Sequence, residues 1–310
     1  MRKEKWTVDQ IPVQSGRTAV VTGANSGLGY NTARALALKG AKVILACRNV
    51  EKGELARKEI MEDGAEVEPE VFHLDLASLE SVQQFSEKFL ESAERLDLLI
   101  NNAGLMAVPY ARTEDGFEMQ FGVNHLGHFA LTARLWPLIS HTIGSRVVQV
   151  SSLAHLWGEI RKKDIHWEQG YKKWGAYGMS KLANLLFIHE LAARLSGVGK
   201  TVIAAAAHPG YANTELQAKG SRMKGSRLGA GSFNLANQLV AQSAAQGALP
   251  SLYAATATGV ASGDYFGPGG LLRLRGYPVL EKPSSKRVNS ETARDLWPLS
   301  EHLTGLHFPI

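Results

Sequence analysis

Cysteine is nearly absent: Cys47 stands alone among 310 residues. One thiol excludes an intrachain disulfide framework and any multi-cysteine metal cluster. Long hydrophobic runs are missing too, and nothing approaches the ~18 apolar residues that a spanning helix needs. The charged start, Met1-Arg2-Lys3-Glu4-Lys5-Trp6, has no apolar stretch behind it of the kind a secretory signal carries. These absences predict a soluble, cytoplasmic chain without a transmembrane segment. Blocks of one charge are also lacking. The net charge is +5, but Lys and Arg alternate with Glu, as between Glu51 and Glu59. Such a pattern is a solvated helix face rather than the basic stripe that nucleic acid requires, so no nucleic-acid partner is expected. A mild positive excess suits a small phosphate-bearing ligand equally well. Hydrophobic residues make up 45% and charged residues 20%, which excludes global disorder and supplies a sizeable core.

What is present is a regular alternation. Short apolar runs (17–22, 42–46, 71–74, 96–101, 146–151 and 201–207) read as strands. Between them, 27–39, 51–62, 79–94, 117–139 and 177–195 carry the 3.6-residue period of helices. Repeated β-α units with strands apolar on both faces predict an α/β fold: a doubly wound parallel sheet with helices on both sides. No repeat or linker divides the chain, so residues 1–310 are expected to form a single domain. From Leu228 to Gly263 there is no Asp, Glu, Lys or Arg. That stretch reads as a buried helix with its approach, or else as a surface facing an apolar ligand.

The first strand runs straight into Thr22-Gly23-Ala24-Asn25-Ser26-Gly27-Leu28-Gly29, which opens a helix. Glycines there permit a tight turn, a close approach of backbone to a pyrophosphate and close helix–strand packing. The helix N-terminus adds free N–H groups and partial positive charge. At the end of the second strand a dinucleotide site selects its cofactor. A carboxylate there would repel a 2′-phosphate, but this chain has Ala46-Cys47-Arg48, and a guanidinium matches phosphate geometry. NADP(H) is therefore expected over NAD(H), with Arg48 as an ordinary surface residue the bland alternative. Cys47 reads as a strand-end packer.

Tyr177 and Lys181 lie four apart, on one helix face, after the strand ending Val150-Ser151-Ser152. A free phenol titrates near ~10, too high for proton exchange at neutral pH. A neighbouring ammonium would favour the phenolate, and a serine hydroxyl could hold a substrate oxygen beside it. That set suits carbonyl/alcohol interconversion with a hydride donor. His125, His128 and His155 lack the spacing of a metal set, so no metal is expected. Trp157, Trp167 and Trp174 read as core or rim packing beside the cleft.

Taken together, Thr22–Gly29, Asp75, Asn101-Asn102-Ala103-Gly104, Asn124, Ser152, Tyr177, Lys181 and His208-Pro209-Gly210 resemble the short-chain dehydrogenase/reductase family. The resemblance runs from about Arg17 to Gly267. Ala46-Cys47-Arg48, Val123–Phe129, Leu153-Ala154-His155 and the 25-residue interval from Ser152 to Tyr177 are similar to its retinol-dehydrogenase-like subgroup. The resemblance implies a Rossmann-type fold with Asn124, Ser152, Tyr177 and Lys181 catalytic, Asn124 kinking its helix so that its carbonyl holds a relay water beside Lys181. It implies cofactor contacts from Gly23, Asn25, Ser26, Gly27, Leu28, Gly29, Arg48, Asp75, Leu76, Asn102, Ala103, Gly104, Tyr177, Lys181, Pro209, Gly210 and Thr214, with Asn101 lining the groove. Asp75 reads equally as a turn residue.

The expected activity is NADP(H)-dependent hydride transfer between an alcohol and a carbonyl, with Tyr177 as general acid/base. Carbon–carbon double-bond reduction of the protochlorophyllide-reductase type and a catalytically silent NADP(H)-binding sensor or scaffold are the alternatives. A substrate lid is expected at about 211–246 and a C-terminal extension at about 267–310, ending in a helix broken near Pro298 that packs through Leu296, Trp297 and Leu303. The uncharged continuation of the lid suggests a lipophilic small-molecule substrate. Pairing of two copies through helices 117–139 and 177–195 is a family habit that makes a homodimer possible.

Overall fold

The computed structural model describes residues 5–196, 201–211, 242–284 and 286–310. Eight strands form one sheet in the order β3-β2-β1-β4-β5-β6-β7-β8. They are β1 (Thr18–Thr22), β2 (Lys42–Cys47), β3 (Glu70–His73), β4 (Leu98–Asn101), β5 (Arg146–Val150), β6 (Ile203–Ala207), β7 (Tyr265–Pro268) and β8 (Pro278–Glu281). Pairing is parallel from β3 through β7, and β8 closes the edge antiparallel to β7. This is the expected Rossmann-type doubly wound sheet. All residues of β1 and β4 are buried, because helices cover both faces.

The α-helices among the described residues are α1 (Gly27–Ala37), α2 (Val50–Glu62), α3 (Leu79–Ser92), α4 (Met119–Phe121), α5 (Gly127–His141), α6 (Lys173–Ser196), α7 (Ala244–Thr256) and α8 (Ser290–Thr304). Side chains cap several N-termini: Asn49 accepts from Lys52 N–H, Ser78 from Ser81 N–H, Ser243 from Gln246 N–H and Asn289 from Thr292 N–H. One core lies between the sheet and α3, α5, α6 and α8. The other lies between the sheet and α1, α2 and α7.

Three sequence expectations need correction. The segment 117–139 is not one α-helix, because a π-helical turn, Gly122–Leu126, sits between α4 and α5. Tyr177 does not open its helix: α6 starts at Lys173 and places Tyr177 in its second turn. Pro298 does not break α8. It lies on the exposed side, where water can reach the one carbonyl left unpaired, while Ala293, Leu296, Trp297 and Ser300 hold the buried face together. In the C-terminal extension after Gly267, β8 joins the main sheet and α8 packs on α6. The uncharged stretch does contain a buried helix, α7, lying against α1. Its first part, most of the expected lid and Thr214 lie outside the described residues. No helix among the described residues is long and apolar enough to cross a membrane.

Candidate active site

The glycine-rich turn is built by geometry that only glycine tolerates at its key points. Gly23 has φ of +66°, the left-handed region. A Cβ on Gly29 would lie 2.4 Å from the Gly23 carbonyl oxygen and 2.5 Å from Asn102 Nδ2, so α1 starts in direct contact with the turn. Thr22 then stitches turn to loop: its Oγ1 accepts the N–H groups of Asn102 and Ala103, both at 2.9 Å, while its carbonyl accepts Asn102 Nδ2 at 2.8 Å. Beneath the turn the buried Cys47 thiol meets the N–H groups of Ala24 and Asn25, and burial pushes it up to about 12. It is a neutral packing group. Ser26, the N-cap of α1, makes no side-chain cap bond, which leaves the first N–H groups of α1 without a side-chain partner.

Arg48 follows β2 with its side chain about two-thirds exposed, 4.0 Å from Asp75 Oδ2. Asp75 also serves its own turn, accepting Ala77 N–H at 2.9 Å. Leu76 is buried, its carbonyl close under Gly127. Asn101 departs from expectation. It is fully buried and donates to Thr132 Oγ1 at 3.0 Å, so its side chain packs against α5 instead of lining a groove. The backbone edge Asn102-Ala103-Gly104 is only part-buried.

Ser152, Tyr177 and Lys181 converge at the C-terminal end of β5. Ser151 is buried and donates to the Lys181 carbonyl at 2.7 Å, whereas Ser152 is partly open and hydrogen-bonded with the Tyr177 hydroxyl. Burial pushes the Tyr177 phenol above its ordinary value, and the Ser152 contact offsets only part of that rise. The ammonium of Lys181 was expected to do that lowering, but it donates to the Val150 carbonyl at 3.0 Å. Burial pushes Lys181 down to about 8. A Cβ on Gly104 would lie 3.0 Å from Asn124 Oδ1 and 3.4 Å from Lys181 Nζ, so both groups meet one backbone edge.

Asn124 sits in the π-turn, a feature that recurs at functional sites. Its amide is saturated: Oδ1 accepts Leu105 N–H at 2.7 Å, and Nδ2 donates to the Leu105 carbonyl at 3.0 Å and to Ser180 Oγ at 2.8 Å. Its backbone carbonyl is turned to His128 Nδ1 at 3.0 Å, with Gln149 Nε2 at 3.5 Å, not to Lys181. His128 Nε2 in turn lies 2.9 Å from Thr22 Oγ1. Burial and then Lys181 push His128 down to about 3, so the neutral ring bridges the π-turn and the glycine-rich turn. Sequence reading missed this bridge. The spacing of His128 four residues after Asn124 was its only signal.

His125 lies 2.9 Å from Ser300 Oγ, and His155 Nδ1 lies 2.7 Å from the Ser152 carbonyl. Both have protein partners. Trp167 is buried beneath Arg161, while Trp157 and Trp174 are about half exposed, Trp174 edge-on to Tyr177. Pro209 and Gly210 are part-buried at the end of β6.

Comparison with known proteins identifies the family. The family model for short chain dehydrogenase matches residues 17–225. Human (Homo sapiens) retinol dehydrogenase 13 is 44% identical over 297 residues, 95% of this chain and 86% of that protein. Mouse (Mus musculus) retinol dehydrogenase 12 is 43% identical over 301 residues, 96% of this chain and 89% of that protein. A crystal structure of an uncharacterized protein from Mycobacterium paratuberculosis superposes with a TM-score of 0.81 at 42% identity, covering 99% of this chain and 100% of that one. A short chain dehydrogenase from Escherichia coli CFT073 complexed with NADPH gives a TM-score of 0.64 at 25% identity, covering 82% and 96%. The glycine-rich turn, the Ser152–Tyr177–Lys181 cluster and these matches together make the chain a member of the short chain dehydrogenase family of oxidoreductases, in its retinol-dehydrogenase-like branch.

Proposed function

We propose that this chain, acting as one domain, is an NADP(H)-dependent oxidoreductase that interconverts an alcohol and a carbonyl on a lipophilic substrate. The carrying observation is the meeting of Ser152, Tyr177 and a buried Lys181 at the C-terminal end of β5, beside the Gly104 edge. The residues present fit the dinucleotide. Gly23 is left-handed, Ser26 makes no side-chain cap bond, and the exposed Arg48 follows β2 without a carboxylate at the strand end. Gly23, Asn25, Ser26, Gly27, Leu28 and Gly29 would hold the pyrophosphate, and Arg48 the 2′-phosphate. Asp75 and Leu76 would border the adenine. Asn102, Ala103, Gly104, Pro209 and Gly210 would border the nicotinamide end. A neighbouring structure's complex with NADPH agrees with that choice.

When bound, the cofactor supplies or accepts the hydride. The protein positions the substrate oxygen and moves its proton. Tyr177 gives its hydroxyl proton to the oxygen as negative charge develops there, and takes it back in the reverse direction. Ser152 holds the same oxygen by its hydroxyl. Lys181, which burial pushes down to about 8, donates to the Val150 carbonyl and stands at the Gly104 edge, where it would hold the nicotinamide ribose. Asn124, whose amide is fully used on Leu105 and Ser180, fixes the Gly104 edge against α6 as a positioning group. The half-exposed Trp157 and Trp174, with Leu156, give the rim an apolar lip, in keeping with the lipophilic alcohols named by the curated relatives. Pairing through α5 and α6 is disfavoured, because Trp297 of α8 and Phe308 already pack on Phe129 and Phe187 of those helices.

Tyr177→Phe tests the reading. Removing the hydroxyl should lower turnover by about 10²–10⁴-fold, the usual contribution of general acid–base catalysis. NADPH affinity, measured by fluorescence titration, should stay within a factor of about two. Unchanged turnover refutes the assignment. A panel of carbonyl substrates in which only small polar members react refutes the lipophilic part.

A further inference from the structure

Behind the Pro209–Gly210 bend lies a buried polar cluster with no part in the proton chemistry above. His208, at the end of β6, is 0% exposed, and its Nε2 lies 3.2 Å from Oε2 of Glu281 on β8, whose side chain is 3% exposed. Arg273 Nη1 reaches the same oxygen at 3.1 Å. His208 Nδ1 accepts the Gly210 N–H at 3.1 Å, which assigns the ring proton to Nε2, facing Glu281. On the other side His155 has Nδ1 on the Ser152 carbonyl at 2.7 Å, which leaves its Nε2 bare. The Tyr265 ring packs against both histidines.

Among the described residues, four buried atoms here make no well-aligned hydrogen bond: His155 Nε2, Tyr265 Oη, Glu281 Oε1 and His208 Nε2, which has only its off-angle contact with Glu281 Oε2. By the tautomers just assigned they comprise one bare acceptor nitrogen, one N–H donor, one hydroxyl and one carboxylate oxygen, a set balanced in donors and acceptors. Buried polar groups without a role are costly and rare. The backbone around them is shaped to admit them. A Cβ on Gly267 would fall 1.9 Å from His208 Nε2 and 2.5 Å from Glu281 Oε1. The bend itself is clamped by the same C-terminal hairpin: Tyr211 N–H donates to the Leu274 carbonyl at 2.7 Å, and a Cβ on Gly210 would lie 2.4 Å from that oxygen.

We propose that Glu281, through His208, is a positioning residue that locks the Pro209–Gly210 wall of the site, with His155 tying the same cluster to the backbone of Ser152. The antiparallel strand β8 thus delivers a carboxylate to the rear of the cofactor groove. This rests on the NADP(H) oxidoreductase reading. Loss of the lock should loosen the nicotinamide end of the site while the adenosine end, held by the glycine-rich turn and Arg48, stays as it was.

Glu281→Leu and Glu281→Gln in the full chain separate these ends. NADPH and 2′,5′-ADP, which carries only the adenosine half, are titrated in parallel, with turnover of a lipophilic aldehyde and the thermal midpoint. Glu281→Leu should weaken NADPH and lower kcat at least about tenfold, with 2′,5′-ADP within about twofold. Gln keeps an acceptor for His208 and should recover most of that loss. Equal losses for both ligands, or no loss on NADPH and kcat, overturn the proposal. If the Leu variant does not fold, Arg273→Ala, at a half-exposed side chain, carries the same comparison. It should give a smaller loss confined to NADPH and kcat, and no loss refutes the lock. Wild-type protein that binds neither ligand would instead sink the cofactor reading on which the lock rests.

Discussion

Acid should unfold this protein early, and two histidines set the slope. His125 and His128 are both buried in the core beside the π-turn, and burial pushes each down to about 3. In the unfolded chain they titrate near the ordinary 6.5. Below that value the unfolded state binds protons that the folded state refuses, so stability is full above about pH 6.5 and falls as the pH drops towards 3. Each histidine contributes about 1.4 kcal/mol per pH unit in that window. Between pH 6.5 and 5 the pair removes about 3 kcal/mol, a large part of the 5–15 kcal/mol that holds a typical domain. His125→Phe isolates one of them. The ring site is already aromatic on three sides, with Phe121, Phe129 and Phe187 within 6.3 Å. Ser300 Oγ keeps its bond to the Leu296 carbonyl when the imidazole is gone. The variant should therefore lose a roughly constant amount at neutral pH, about 1 kcal/mol for the Ser300 contact. Urea unfolding at intervals from about pH 7 to 5 reads the slope, which should fall by about 1 kcal/mol per pH unit relative to wild type. Parallel slopes in the two proteins would refute a neutral, buried His125.

Gly29→Ala forces a Cβ onto the Gly23 carbonyl and Asn102, and should weaken NADPH at least about tenfold by opening the turn. Isothermal titration checks it, and undiminished affinity would mean the turn does not hold the phosphates. Thr22→Val strips the acceptor from the N–H groups of Asn102 and Ala103 and the partner from His128. Asn102 N–H keeps the Ile100 carbonyl, so losing the Ala103 acceptor and the buried His128 partner should cost about 1–3 kcal/mol in denaturant unfolding. Phe308→Ala empties a site walled by Phe129, Trp136, Phe187 and Trp297, with an expected loss of about 3–5 kcal/mol. A loss under about 1 kcal/mol would mean that the C-terminal segment is not docked as described.

The parts legible in the sequence are those whose cause is local. Strands β1, β2 and β4 announce themselves as short apolar runs because both faces are covered, and the turn after β1 needs glycine at Gly23 for reasons of φ alone. Tyr177 and Lys181 share a helix face through their spacing. The π-turn at Asn124 leaves no such mark, because one extra residue in a helix that is apolar all round does not disturb its period. Asn101 and Asn102 are adjacent and alike, and only strand alternation sends the first into the core and the second to the Thr22 carbonyl. Strands β7 and β8 hide behind Gly267, Pro268 and Pro278, residues that ordinarily argue against a strand; they are tolerated because β8 is the sheet edge and Pro268 lies past the last β6–β7 pair.

A sharper division separates the residues that touch chemistry from those that hold them. Ser152, Tyr177 and Lys181 can be found from one segment each, since reactive side chains are few. Their holders come from far along the chain: Thr22 and His128 for the π-turn, Ser180 and Leu105 for Asn124, Glu281 and Tyr265 for the histidines behind Ser152 and Gly210. A serine, a threonine or a glutamate in a short edge strand has many ordinary uses, and no spacing rule links it to a partner that only the fold brings near. What betrays such groups is burial without solvent to satisfy them. A carboxylate only 3% exposed is costly to hold out of water unless it is paired, and here the fold brings Arg273 and a fully buried histidine to it.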